Sequence, residues 1–213
     1  MKKDHEKAWL VQGALFDKWD IPFIETANDI PTLLLPFTKR KEQQRSSHWI
    51  HFYQSDDMFG RIWTNPREHV ETLKRFSGII SPDFSIYADS PIPTQLHNKY
   101  RNHAVAYWLS TQGIPVIPNV RWSNEQSYDF CFRGIEKNSI VAIGSHGQLK
   151  TTASRELFLK GLPVMVSTLM PHTIVVYGSA PDDVFGDYKA SGIEIVVFAS
   201  ETARYHNRPT EVA

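Results

Sequence analysis

Five short apolar runs rich in β-branched residues, "SGIIS", "IPVIPNV", "SIVAIG", "TIVVYG" and "IEIVVFAS", recur between residues 77 and 200. Half-exposed antiparallel strands alternate apolar and polar side chains, whereas unbroken apolar runs belong to strands covered on both faces. The stretches between them include "TQLHNKYRNHAVAYWLSTQG" (94–113) and "TASRELFLKGLPVMVSTLM" (152–170), both helical in character. In the first, Leu96, Tyr100, Ala104, Tyr107 and Trp108 trace an apolar stripe closed by Gly113; in the second, Pro163 is expected to break or kink the helix. The class is therefore α/β, mainly parallel strands alternating with helices. An incomplete (β/α) barrel-like arrangement is favoured over an open doubly wound sheet.

Upstream, "IPTLLLPF" (30–37) and "HWIHFYQ" (48–54) read as two further strands. A solvated loop with Lys39, Arg40, Lys41 and Arg45 joins them instead of a helix, which leaves room for an antiparallel edge. "NPREHVETLKRFSG" (65–78) reads as a helix with Asn65 as N-cap, Pro66 in the first turn and Gly78 as its stop. Residues 1–29, with Trp9, Leu10, Leu15, Phe16 and Trp19, form an N-terminal arm that docks by its aromatics. The single α/β domain spans 30–200, and 201–213 is a tail.

Composition narrows the function classes. Lys plus Arg equals Asp plus Glu at 23 each, so net charge gives no drive towards nucleic acid or a membrane surface. The single cysteine, Cys131, excludes an intramolecular disulfide and paired-cysteine zinc sites, and between Phe130 and Phe132 it reads as core. No apolar run approaches the roughly 18 residues of a membrane span, and Asp4, His5 and Glu6 occupy the place of a signal peptide's apolar region. A reducing compartment, the cytoplasm, is expected.

In both candidate architectures ligands bind beyond the carboxyl ends of the parallel strands. Those ends supply Asp83, Ser85, Asn119, Arg121, Ser145, His146, Tyr177, Ser179, Ser200 and Glu201. Asp83, set between Pro82 and Phe84, is the candidate catalytic residue: partial desolvation suits a carboxyl to acid or base work unless Arg121 holds it ionised. The same Asp can instead cap its loop. Arg121 beside Trp122 and Tyr128 is a kit for neutralising an anion while stacking on a planar ligand, or Trp122 simply plugs the rim. Gln95, Asn98 and Asn102, with Arg101, give the 94–113 helix an amide-rich face that recognises paired hydrogen-bonding groups or is simply solvated. Ser145 and Tyr177 complete the ligand-binding candidates. "IGSHGQLKTTAS" is a turn or an anion cradle but matches neither a P-loop nor GxGxxG. His48 and His51 fall on opposite faces of a strand, no metal-ligand spacing emerges, and no cofactor is named by any motif.

"GIISPDFSIY", "QLHNKYRNHAVAYWLSTQGIPVIPNVRW", "SYDFCFRGI", "VAIGSHG" and "VVYGSAPDDVF" resemble a family of phage, prophage and plasmid-borne proteins known only as a domain of unknown function. The resemblance spans about residues 30–198 and falls on Asp83, Phe84, Ser85, Tyr100, Arg101, Pro118, Trp122, Phe130, Phe132, Gly134, Tyr177 and Gly178. It implies a mobile-element origin and an intracellular role, and transfers no activity. Two readings remain. One is an enzyme or enzyme-like cleft for a small anionic or nucleotide-like ligand. The other is a non-catalytic accessory protein that binds a host protein or nucleic acid through loop 39–45, the aromatic surface and the tail, with direct nucleic-acid binding ranked lower.

Overall fold

The computed structural model describes residues 7–42 and 46–206. Within these residues the apolar runs become seven strands: β1 (Leu34–Pro36), β2 (Ser46–His51), β3 (Phe76–Ile80), β4 (Val116–Ile117), β5 (Ile140–Gly144), β6 (Thr173–Tyr177) and β7 (Glu194–Phe198). The α-helices are α1 (Asp56–Phe59), α2 (Arg61–Thr64), α3 (Val70–Leu73), α4 (Ile92–Thr111), α5 (Tyr128–Cys131), α6 (Thr152–Leu169), α7 (Asp182–Ala190) and α8 (Glu201–His206).

Every ladder is parallel and runs in chain order, β1-β2-β3-β4 in one sheet and β5-β6-β7 in another. The chain beyond β4 continues the array. Ala142 N donates to Pro118 O (2.9 Å) and Val120 N to Ala142 O (2.7 Å), a parallel bridge that links the two sheets. Leu34, Trp49, Ile80, Ile117, Ala142, Val175 and Tyr177, drawn from β1 through β6, pack into one inner cluster with Phe198 of β7 against it. Two outer clusters fill the space between strands and helices, one under the arm, α1–α4 and β1–β4, the other under α5–α7 and β5–β7. No ladder joins β7 to β1 among the described residues, so the (β/α) arrangement is an unclosed barrel.

Several local expectations are corrected. β1 and β2 pair in parallel, not as an antiparallel edge. Phe37, at the start of a 3₁₀ turn (Phe37–Lys39), is buried against Phe52 at 4.9 Å, which draws the chain off the strand end onto the outer face before it returns. The expected 65–78 helix is a 3₁₀ turn (Pro66–His69) followed by α3, and Asn65 makes no side-chain cap bond. Phe76 and Gly78 belong to β3. Gly78 sits opposite Trp49 in register, and a Cβ there would lie 2.5 Å from the indole, so the glycine makes room for the ring instead of ending a helix. α6 runs through Pro163 unbroken. In α4 the inward face is not the apolar stripe alone: Gln95, Lys99, Asn102 and His103 are buried beside Ala104 and Trp108, while Leu96, Tyr100 and Tyr107 are half-buried.

The arm is tied into this body. Leu10, Ile21 and Ile24 are buried, Trp9 meets Trp108 edge-on at 5.2 Å, and Ile24 N and Ala27 N donate to Gly134 O and Val116 O. Arg45 of the basic loop and residues 207–213 of the tail lie outside the described residues.

Candidate functional site

The chain leaves β3 as Ser81-Pro82-Asp83 and leaves β4 as Asn119-Val120-Arg121, so neighbouring parallel strands bring both segments to one rim. There Asp83 receives two charge-assisted hydrogen bonds, from Asn119 Nδ2 to Oδ1 (2.7 Å) and from Arg121 Nη1 to Oδ2 (2.7 Å). Asn119 is held in turn: its N–H donates to Ser81 Oγ (2.8 Å), and its Oδ1 accepts from Tyr53 Oη (2.9 Å). Tyr53 comes from just beyond β2 and stacks on Tyr177 at the end of β6, 4.8 Å between centroids and 11° between planes. Gly144 at the end of β5 permits this placement, because a Cβ there would meet the Tyr53 ring at 3.0 Å.

Burial raises the Asp83 carboxyl above the usual carboxylate range; the Arg121 guanidinium and the Asn119 amide pull the other way without cancelling it. Asp83 is therefore a carboxyl with a stronger claim on a proton than an exposed one. Burial also raises the Tyr53 phenol well above its ordinary value, so it stays protonated and keeps donating to Asn119. His146 is lowered by burial and by Lys150, so its imidazole is neutral near pH 7.

A cavity of about 370 Å³ opens over this cluster, lined by Asp83, Arg121, Tyr53, Tyr87, His146 and Tyr177 among others. A second, of about 260 Å³, adjoins it between Tyr87, Arg121, Gln148 and Ser154. Arg121 and Gln148 border both. The guanidinium gives Nη1 to Asp83, and its Nε has no acceptor.

Other predicted residues serve the frame. Asn98 Nδ2 donates to Ser85 O (2.6 Å), Gln95 Nε2 to Ser90 O (2.7 Å), and Asn102 clamps Phe84 through both its N–H and its C=O. Arg101 donates to Asn98 Oδ1 (2.8 Å) and lies 3.7 Å above the Phe84 ring. The amide face of α4 thus turns inward and holds the 81–90 segment that carries Asp83. Ser145 is buried with Oγ donating to Ser179 O (2.6 Å). Trp122 borders the 260 Å³ cavity, but its indole donates to Leu157 O and stacks on Phe158. Tyr53, Asp56 and Gln148 went unread in the sequence. Asp56 accepts from Ser85 N–H and Oγ–H, a second clamp on the same loop. Reading "HFYQSDD" as the carboxyl end of another parallel strand would have placed Tyr53 on the rim. Among the described residues no cluster of three or more His, Cys, Asp or Glu could hold a metal ion, and no helix is long and apolar enough to cross a membrane.

Comparison with known proteins places this unclosed parallel α/β chain in a defined family. Residues 15–199 match the family described as Domain of unknown function (DUF4417), and the chain belongs to it. The match begins earlier than the resemblance read from residue 30, in keeping with an arm that is built into the core. The Gene 1 protein of Mycobacterium phage L5 is 31% identical over 164 residues, covering 75% of this chain and 71% of the phage protein. The Gene 1 protein of Mycobacterium phage D29 is 29% identical over 164 residues, covering 75% of this chain and 60% of that protein. No solved structure matches.

Proposed function

We propose that the rim at the strand carboxyl ends binds a small anionic, nucleotide-like ligand, with Arg121 as the anion contact and Asp83 as the group that orients Arg121 and exchanges a proton with the ligand. The observation that carries this reading is Arg121 itself, whose side chain is 21% exposed and borders two adjoining cavities while its Nη1 is fixed by a buried carboxylate. Tyr87, 57% exposed on the wall common to both cavities, offers a planar group a stacking face. Such a protein would act in the bacterial cytoplasm during propagation of a phage or related mobile element, as the origin of its mycobacteriophage relatives suggests.

A thermal-shift screen against nucleotides, cyclic nucleotides and sugar phosphates tests it. A ligand at about a hundred times its dissociation constant adds roughly 2.7 kcal/mol of stability. Arg121→Ala should abolish the shift, while Asp83→Asn should retain part of it and suppress any turnover. A shift that survives Arg121→Ala, or none with any member of the panel, overturns the proposal.

A further inference from the structure

A cavity of about 820 Å³ lies away from the strand carboxyl ends, where the arm passes the last turn of α4 and the segment entering β4. One wall is a preformed hairpin. Phe16 pairs with Pro22 in antiparallel fashion, Phe23 N donates to Leu15 O (2.8 Å), and the Asp17 carboxylate fixes the turn by accepting from the N–H groups of Trp19 and Ile21. The hairpin buries Ile21, and Ile24 just beyond it, but leaves Leu15 77% and Phe23 40% exposed along the groove. The wall continues as a braced segment, with Thr26 N donating to Glu136 Oε2 (3.1 Å) and Ala27 N to Val116 O (2.8 Å). The facing side is Tyr107, whose hydroxyl donates to Gln12 O (3.2 Å), with Ser110 and Thr111.

Charge adds a direction. Glu25 and Asp29, both exposed, are the charged residues lining the groove; neither forms an ion pair among the described residues, and no Lys or Arg lines it. A fixed apolar wall beside unpaired carboxylates complements a segment that is apolar and positively charged, and rigidity on this side lowers the ordering cost of binding. We infer that this groove docks a linear segment of a partner protein that sets apolar side chains against Leu15 and Phe23 and places a Lys or Arg against Glu25 and Asp29.

The test is selection of a random linear-peptide display library on the full chain, with the enriched peptides synthesised and their affinities measured at low and high salt. The expected peptides pair apolar anchors with Lys or Arg and bind more weakly as salt rises. They should lose about ten-fold or more in affinity for Glu25→Lys/Asp29→Lys and for Leu15→Ser, and bind Arg121→Ala like the parent. Thermal melts confirm that the Glu25, Asp29 and Leu15 variants fold, and that the less stable Arg121→Ala is still folded at the assay temperature. Enrichment without basic residues, affinity indifferent to the charge reversal, or no enrichment overturns the inference. So does a concentration-dependent dimer in sedimentation that Leu15→Ser abolishes, since a second copy would then be the occupant. Loss of binding in Arg121→Ala alone would assign the peptides to the strand-end rim instead.

Discussion

Arg121 and Asp83 are coupled tightly enough that each sets the behaviour of the other. With Arg121→Ala, Asp83 keeps its burial but loses the neighbour that opposes the rise in its pKa. Breaking a buried ion pair from one side costs about 3–5 kcal/mol, and this pair, with Arg121 21% exposed, belongs at the low end. The native state of the variant should hold its Asp83 proton to higher pH than the unfolded chain does, so its stability falls as pH rises through that window. Denaturant melts should therefore show a deficit that is larger at pH 7 than at pH 5; an equal deficit at both would mean Asp83 is not the group left charged. Lys99 gives the opposite slope. Its ammonium is buried, donating to His103 Nε2 (2.5 Å) and Cys131 O (2.7 Å), and burial brings it down to about 7 from 10.5. The unfolded chain binds the extra proton between those values, so stability rises with pH there, by at most about 1.4 kcal/mol per unit. Lys99→Met should flatten that rise. Melts between pH 7 and 10 that keep the wild-type slope in the variant would place the effect elsewhere.

At the scale of elements, Trp49 of β2 lies over Gly78 of β3, and the tight approach fixes where the two strands meet. Gly78→Ala drives a Cβ into the indole and should destabilise by about 1–3 kcal/mol through overpacking, readable as a lower denaturation midpoint with unchanged slope. A neutral substitution would show that the ring can move. This contact also shows what the sequence could convey. The β-branched runs announced β3 to β6 because burial on both faces leaves no alternation to misread, and β7 by its β-branched run alone, since its residues are half-buried or exposed; the polar ends announced Asp83, Asn119 and Arg121. Gly78 was misread as a helix stop because its reason lies 29 positions away, in the Trp49 ring. Gln95, Asn98 and Asn102 form a stripe whose spacing is legible, yet whether it faces solvent, ligand or a loop depends on where the 81–90 segment returns. Phe84, Ser85 and Ser90 take up those amides, a tertiary fact that no period in α4 encodes.

For the whole molecule, the two sheets share a single bridge among the described residues, at Asn119 and Ala142, so side chains must carry much of their coupling. Tyr177 is the clearest such link. It belongs to β6, yet its ring meets His51 at 4.5 Å and Tyr53 at 4.8 Å, both from the first sheet's side. Another cross-link between the two ends of the array is Lys39 with Glu201, at 2.6 Å, with both side chains more than 40% exposed. An exposed pair of this kind is worth about 0–1 kcal/mol, whereas truncating a large buried aromatic costs about 3–5 kcal/mol. Tyr177→Ala should therefore loosen β5–β7 as a unit while β1–β4 retains its own outer core under α4 and the arm. Native-state hydrogen exchange should then show the amides of β6 and β7 opening at a lower free energy than those of β2 and β3, with Lys39→Ala close to wild type. Equal loss of protection in both sheets would mean that the unclosed barrel unfolds as one cooperative unit and that the stack contributes only to global stability.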